Sequence, residues 1–124
     1  TWGKPEKDEH DAIGLGEDDM YPKDLQGAAF KLVYLDASQL AMSKAFIDAA
    51  RRSGARHYVA PLISNEAGHS STLTLRYFFN DLNKGVTPMD ALFQTRRQLY
   101  KEFEGRVNRT EQIYYAYPFR LYLL

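Results

Sequence analysis

Ser38 stands where an α/β chain often mounts a nucleophile, directly after an apolar strand and directly before a helix. The run Phe30-Lys31-Leu32-Val33-Tyr34-Leu35 passes into Asp36-Ala37-Ser38, after which apolar residues recur at helical spacing. In open α/β sheets ligands bind outside the carboxyl ends of the strands, so this turn is the first place to look for chemistry. A serine hydroxyl becomes a nucleophile only with a base to take its proton and a group to orient that base. A serine after a strand also serves routinely as the N-cap of the next helix, and the local residues leave both roles open. Asp36 is the second candidate; its carboxylate would sit at the same strand end, as a polar group of a site or as part of a cap. Asn65 and Glu66 follow the carboxyl end of the next strand and face the same side, where they would line a substrate pocket or form a solvated loop.

The remaining candidates are weaker. The three histidines, His10, His57 and His69, show no metal-ligand spacing among themselves, and no metal is expected. The absence of cysteine excludes disulfides, thiolate metal sites and a nucleophilic thiol in this chain. Gly14-Leu15-Gly16 is too short and wrongly placed for a phosphate loop.

These residues need elements to position them. Phe30–Leu35 reads as a buried strand, and Gln39–Ser53 as a helix stopped by Gly54 behind Arg51 and Arg52. His57–Ile63 reads as a second strand, followed by a helix from Ser70 or Ser71 to about Asn83. Thr87-Pro88-Met89-Asp90 is the clearest local signal: a capping Thr, a Pro at the first helical position and an acid in the first turn predict a helix to about Glu104. Gly105–Glu111 reads as a polar turn and Tyr117–Leu124 as a third strand. Ahead of all this, Thr1–Asp24 reads as loop, with a short extended piece around Ala12–Leu15. The order strand–helix–strand–helix–helix–strand predicts an α/β fold with a largely parallel sheet and helices on both faces.

Composition narrows the function classes. Of 124 residues 44% are hydrophobic, with nine Tyr and seven Phe, enough for one packed domain. The sixteen basic and sixteen acidic side chains cancel, which leaves no electrostatic footprint for nucleic acid. No apolar run approaches the roughly 18 residues of a membrane span, and the first apolar segment begins only near Phe30, unlike a signal peptide. A cytoplasmic protein without direct nucleic-acid or membrane binding is expected.

Several ordered blocks carry a resemblance to a known family. Leu32–Ser38 is similar to an apolar strand ending in Leu-Ser-Ala-Cys. Ala45-Phe46 with Ser53-Gly54-Ala55-Arg56, then Tyr58-Val59-Ala60-Pro61-Leu62, resemble the helix, turn and strand that follow it. Tyr77-Phe78-Phe79, Lys84-Gly85, Thr87–Leu92 and Tyr114–Phe119 resemble the later blocks, and Met20–Leu25 the segment before the nucleophile strand. Together they cover roughly residues 20 to 124 and resemble the CHAT family, relatives of caspases, metacaspases and separase.

The resemblance implies a caspase-like three-layer fold and a cysteine endopeptidase whose Cys position is held here by Ser38. Such a serine reflects an inactivating substitution, a naturally inactive homologue or a serine nucleophile; a hydroxyl cannot be brought as near to neutral pKa as a thiol. The family dyad also needs a His in a His-Gly turn, a pattern that His10 lacks, so the expectation is that residues 1–124 are the C-terminal part of the domain, with 1–25 a lead-in and the His upstream. Metacaspases carry an Asp at the offset of Asp36 to receive a basic P1 side chain, which a carboxylate does bidentately with Arg or as a point charge with Lys. The family further implies no cofactor, a protein or peptide substrate, and activation through further domains or a larger assembly, as in the CRISPR-associated TPR–CHAT proteases of antiviral defence. The alternative is a degenerate CHAT domain acting as a non-catalytic scaffold or regulatory module.

Overall fold

A computed structural model describes residues 3–4, 12–15, 17–25, 27–37, 39–62 and 69–124. The chain is a mixed α/β protein, with four α-helices and two small sheets among the described residues, and it divides into two compact units, Thr1–Ser64 with Phe119–Leu124, and Asn65–Pro118.

The first unit opens with an antiparallel sheet of three short strands, β1 (Gly3–Lys4), β2 (Ala12–Leu15) and β3 (Asp18–Met20), in that order. The extended piece expected at Ala12–Leu15 is β2, but the loop expected around it is corrected: β1 and β3 pair with its two edges. Strands of two and three residues are too short to show the alternation by which a strand is read. Ile13 of β2 and Leu25, at the end of the 3-10 turn Pro22–Leu25, bury their side chains in the core of this unit.

The second sheet has the order β4 (Leu32–Tyr34), β5 (His57–Pro61) and β6 (Phe119–Leu123). β4 and β5 are parallel, Val33 beside Tyr58, and the helix α1 (Lys44–Arg52) makes the crossover between them. Phe46, Ala49 and Ala50 of α1 pack with Val33, Tyr58 and Ala60 on one face of this sheet. The expected largely parallel sheet is corrected at β6, which runs antiparallel to β5 with Phe119 beside Pro61. The reason is the second unit, whose residues lie in sequence between Ser64 and Phe119 and have a core of their own. The chain therefore leaves and rejoins the sheet at one end of β5.

Helix α1 begins later than its apolar spacing suggests. Leu40–Met42 is a 3-10 turn, and Ser43 is the cap, its Oγ accepting from Phe46 N at 3.2 Å. The capping role that competed for Ser38 thus belongs to Ser43 at the helix itself. At the other end Gly54 takes φ 94°, and the amide of Ala55 donates back to the Ala50 carbonyl, which closes the helix with a left-handed residue.

The second unit holds α2 (His69–Asn83), α3 (Pro88–Phe103) and α4 (Arg109–Ala116). Thr87 caps α3 as its sequence predicts, accepting from Asp90 N. Leu73, Leu99, Phe103 and Ala116 form the buried centre, with Tyr77, Tyr100 and Tyr115 packed around it. Two polar ties cross this core: Tyr77 Oη donates to Glu102 Oε2 at 3.1 Å, and Gln112 Nε2 to the Tyr100 carbonyl at 2.6 Å. Helix α4 replaces the second half of the expected polar turn; its cap is Asn108, which accepts from Glu111 N. Among the described residues no helix is long and apolar enough to cross a membrane.

Two stability predictions follow from these contacts. Tyr58 is fully buried and its Oη donates to the Leu40 carbonyl at 2.7 Å, so Tyr58→Phe leaves a buried acceptor without that donor. The carbonyl keeps its bond from Ser43 N, so urea unfolding should show a loss of about 0.5–1.5 kcal/mol. On the outer side of α1, Asp48 accepts from Lys44 at 2.7 Å and Arg51 at 2.9 Å, and the Lys44 hydrogen bond above all holds its carboxyl below the ordinary value. A depressed carboxylate stabilises the fold above its unfolded pKa, and that contribution is lost as pH falls through the folded one. The urea midpoint should therefore fall less steeply on the acid side, below about pH 4, in Asp48→Asn than in the parent chain.

Candidate functional site at the end of strand β4

The last backbone bond of β4 to the sheet is made by Leu35, whose amide donates to the Val59 carbonyl at 2.9 Å. The chain then continues through Asp36, half-buried, and Ala37, 1% exposed. Ser38 lies outside the described residues. Beyond it Gln39 takes φ 65° and ψ 12°, the left-handed region, and is the one non-glycine residue with positive φ among those described. For a residue with a Cβ this conformation costs roughly 1–3 kcal/mol and persists only where its surroundings over-determine it.

Those surroundings are visible on both sides. The amide of Leu40 donates to the Ala37 carbonyl at 3.4 Å, Met42 to Gln39 at 3.0 Å and Ser43 to Leu40 at 3.2 Å. The Leu40 carbonyl also accepts the Tyr58 hydroxyl, so the turn is tied to the central strand. Leu40 and Ala41 are buried in the same core as Phe46. Position 38 is thus bracketed by a buried Ala37 and a left-handed Gln39, in the strand-to-helix turn at the carboxyl end of a parallel strand.

Strand alternation gives Asp36 its neighbours. Val33 and Leu35 point to the α1 face, so Tyr34 and Asp36 point to the other. The Tyr34 ring stacks on Phe119 of β6, with centroids 5.3 Å apart and planes at 26°. Burial, and after it the charge of Asp36, push the Tyr34 phenol above its ordinary pKa, so it stays neutral through the physiological range. A carboxylate beside a neutral phenol and an aromatic stack is a setting able to receive a cation by charge and by ring face.

The other candidates divide as follows. Asn65, Glu66 and His10 lie outside the described residues. His57 starts β5 beside Leu32, four strand steps from Pro61, or about 13 Å from the end where Asp36 leaves the sheet. It therefore lies at the other end of β5 from the point where β4 runs out into Asp36. His69 begins α2. Among the described residues no group of three or more His, Cys, Asp or Glu is arranged to hold a metal ion. Tyr34 and Gln39 were not singled out by sequence. Tyr34 was within reach, since it is two residues before Asp36 in an alternating strand, whereas nothing in the residue type of Gln39 announces a left-handed backbone.

The chain matches no family model, no curated protein and no solved structure.

The strain at Gln39 is measurable. Glycine adopts this conformation without a Cβ penalty, and the penalty outweighs glycine's extra unfolded-state freedom. Gln39→Gly should raise stability by about 0.5–1 kcal/mol in urea unfolding, and β-branched Gln39→Val should lower it by more than that. Equal destabilisation by both would refute a left-handed residue 39.

Proposed function

We propose that this chain is part of a CHAT-type, caspase-like cysteine endopeptidase domain with Ser38 at the nucleophile position, and that its intact form cleaves protein substrates after a basic residue. In this reading the β4–β5–β6 sheet belongs to a three-layer fold with helices on both faces. The observation that carries it is the turn after β4: a parallel strand ends, the chain crosses position 38 into a left-handed Gln39, and the helix cap is supplied separately by Ser43. With the cap of α1 supplied by Ser43, residue 38 is not required for it, and the carboxyl end of a parallel strand is where a nucleophile is expected.

The roles are then these. Residue 38, as a thiolate, attacks the scissile carbonyl, and backbone amides of the turn together with those near the family's His-Gly turn hold the oxyanion. The base is a histidine of that His-Gly turn. Asp36, close to Tyr34, receives the guanidinium or ammonium of the P1 side chain. No cofactor takes part, and activation comes from further domains or a larger assembly.

A second reading is favoured by one observation, the absence of any cysteine from the chain. In it the domain is degenerate and acts as a scaffold or regulatory module. The two readings part on one experiment. Ser38→Cys is introduced into the full-length protein and assayed on Arg and Lys peptides with its assembly partners present. Cleavage after a basic residue is the expected result, and adding Asp36→Ala should lower kcat/KM on Arg substrates by about 30-fold or more, the usual cost of removing one member of a buried charge pair. Turnover absent under every activating condition would sink the peptidase reading; undiminished cleavage after Asp36→Ala would remove Asp36 from the P1 pocket.

A further inference from the structure

Helix α3 has two contrasting faces. Ala91, Leu92, Thr95, Leu99 and Phe103 are buried inward, whereas Met89 and Phe93 are 54% and 55% exposed. The outer face, with the end of α2 and the turn after it, borders an open groove of about 800 Å³ lined by Asp81, Val86, Asp90, Phe93, Arg97 and Lys101 among others. The charges in this groove are sorted along its length. The acids Asp81 and Asp90 lie at the amino-terminal end of α3, and the bases Arg97 and Lys101 at the carboxyl-terminal end. Between them is Phe93, with the Arg97 guanidinium 5.8 Å from the centre of its ring.

We propose that this face of α3 is the contact surface for a second copy of the same chain, packed antiparallel about a two-fold axis that passes between Phe93 and Gln94. A two-fold interface uses the same patch on both partners, so each residue meets the one equally far beyond the axis. Asp90 and Arg97 are equidistant from that midpoint, so Asp90 of one copy faces Arg97 of the other, twice over. Lys101 is set against the turn that carries Val86, with Asp81 behind it. The two Phe93 rings meet beside the axis with Gln94 of each copy next to them, so an aromatic pair and neutral amides are rimmed by paired charges. A parallel arrangement would instead oppose Asp90 to Asp90 and Arg97 to Arg97, which like-charge repulsion disfavours.

Asp90 and Lys101 are eleven residues apart, about 16 Å along a helix. A contact of that length falls short of the roughly 800 Å² per partner of a standard interface, so the association is weak and sensitive to both concentration and salt.

Sedimentation velocity on the full chain tests the proposal. The expected result is a shift from one copy to two as concentration rises, weakened about tenfold between low salt and about 0.5 M salt. Asp90→Arg and Arg97→Asp each oppose like charges and should remain monomeric alone, yet an equimolar mixture should form the heterodimer, because every Arg then faces an Asp. Phe93→Ser should weaken association without altering charge, and circular dichroism checks that each variant is folded. If Asp90→Arg disrupts its helix, Lys101→Glu takes its place as the variant of like-charge contact with the acidic end. A parent chain still monomeric at about 1 mM, single-charge variants that dimerise as the parent does, or a mixture that fails to associate would each overturn the two-fold arrangement. Binding of an amphipathic helix from another protein at this face, with no self-association, would overturn it as well.

Discussion

The hydrogen bond from the Tyr58 hydroxyl to the Leu40 carbonyl is the constraint on which the first unit turns. Both groups are buried; the Leu40 carbonyl also accepts from Ser43 N, so the phenol is the group that needs this bond, and a buried hydroxyl left without one costs about 1–3 kcal/mol. The phenol reaches from the central strand to the 3-10 turn, so the chain between β4 and α1 must pass at one height above the sheet. That demand is met by a left-handed Gln39, after which Ser43 can cap α1 and bring Phe46, Ala49 and Ala50 down onto Val33 and Ala60. The local strain at residue 39 is thus offset by burial in the core around it. A strained residue held by a packed core next to a strand end is a common arrangement where a chain must present a side chain accurately.

The second constraint is the way the chain departs from β5 and comes back. A helical unit with its own core occupies the sequence between Ser64 and Phe119, and the chain rejoins the sheet with Phe119 beside Pro61. The antiparallel direction of β6 follows from that return. So does the stack of Tyr34 on Phe119, which joins residues 85 positions apart in sequence. Within the helical unit the bond from Gln112 to the Tyr100 carbonyl satisfies a buried amide, and Tyr77 with Glu102 ties α2 to α3 at the edge of the apolar centre. Its outward α3 face is left apolar in the middle and charge-sorted at the ends.

What was legible beforehand was what local chemistry dictates. Thr87-Pro88-Met89-Asp90 announced the start of α3, because capping, proline geometry and dipole charge all act within one turn. Gly54 marked the end of α1 for the same reason, and the apolar composition of residues 57 to 63 marked β5. Helix α4 was missed although Asn108 and Glu111 stand at capping-box spacing, since eight residues hold too little periodicity to outweigh the polar run before them. β1 and β3 were missed because their stability lies in pairing with β2, which a local reading does not see.

The sequence alone therefore determined the helix stops, the apolar strands and the mixed α/β class. Tertiary structure decided the direction of β6, the left-handed Gln39, the transfer of the capping role to Ser43 and the neighbours of Asp36. The division has one physical cause. Caps, turns and periodicity are energies between residues a few positions apart, whereas each of the latter features depends on burial against residues that are brought near only when the sheet forms.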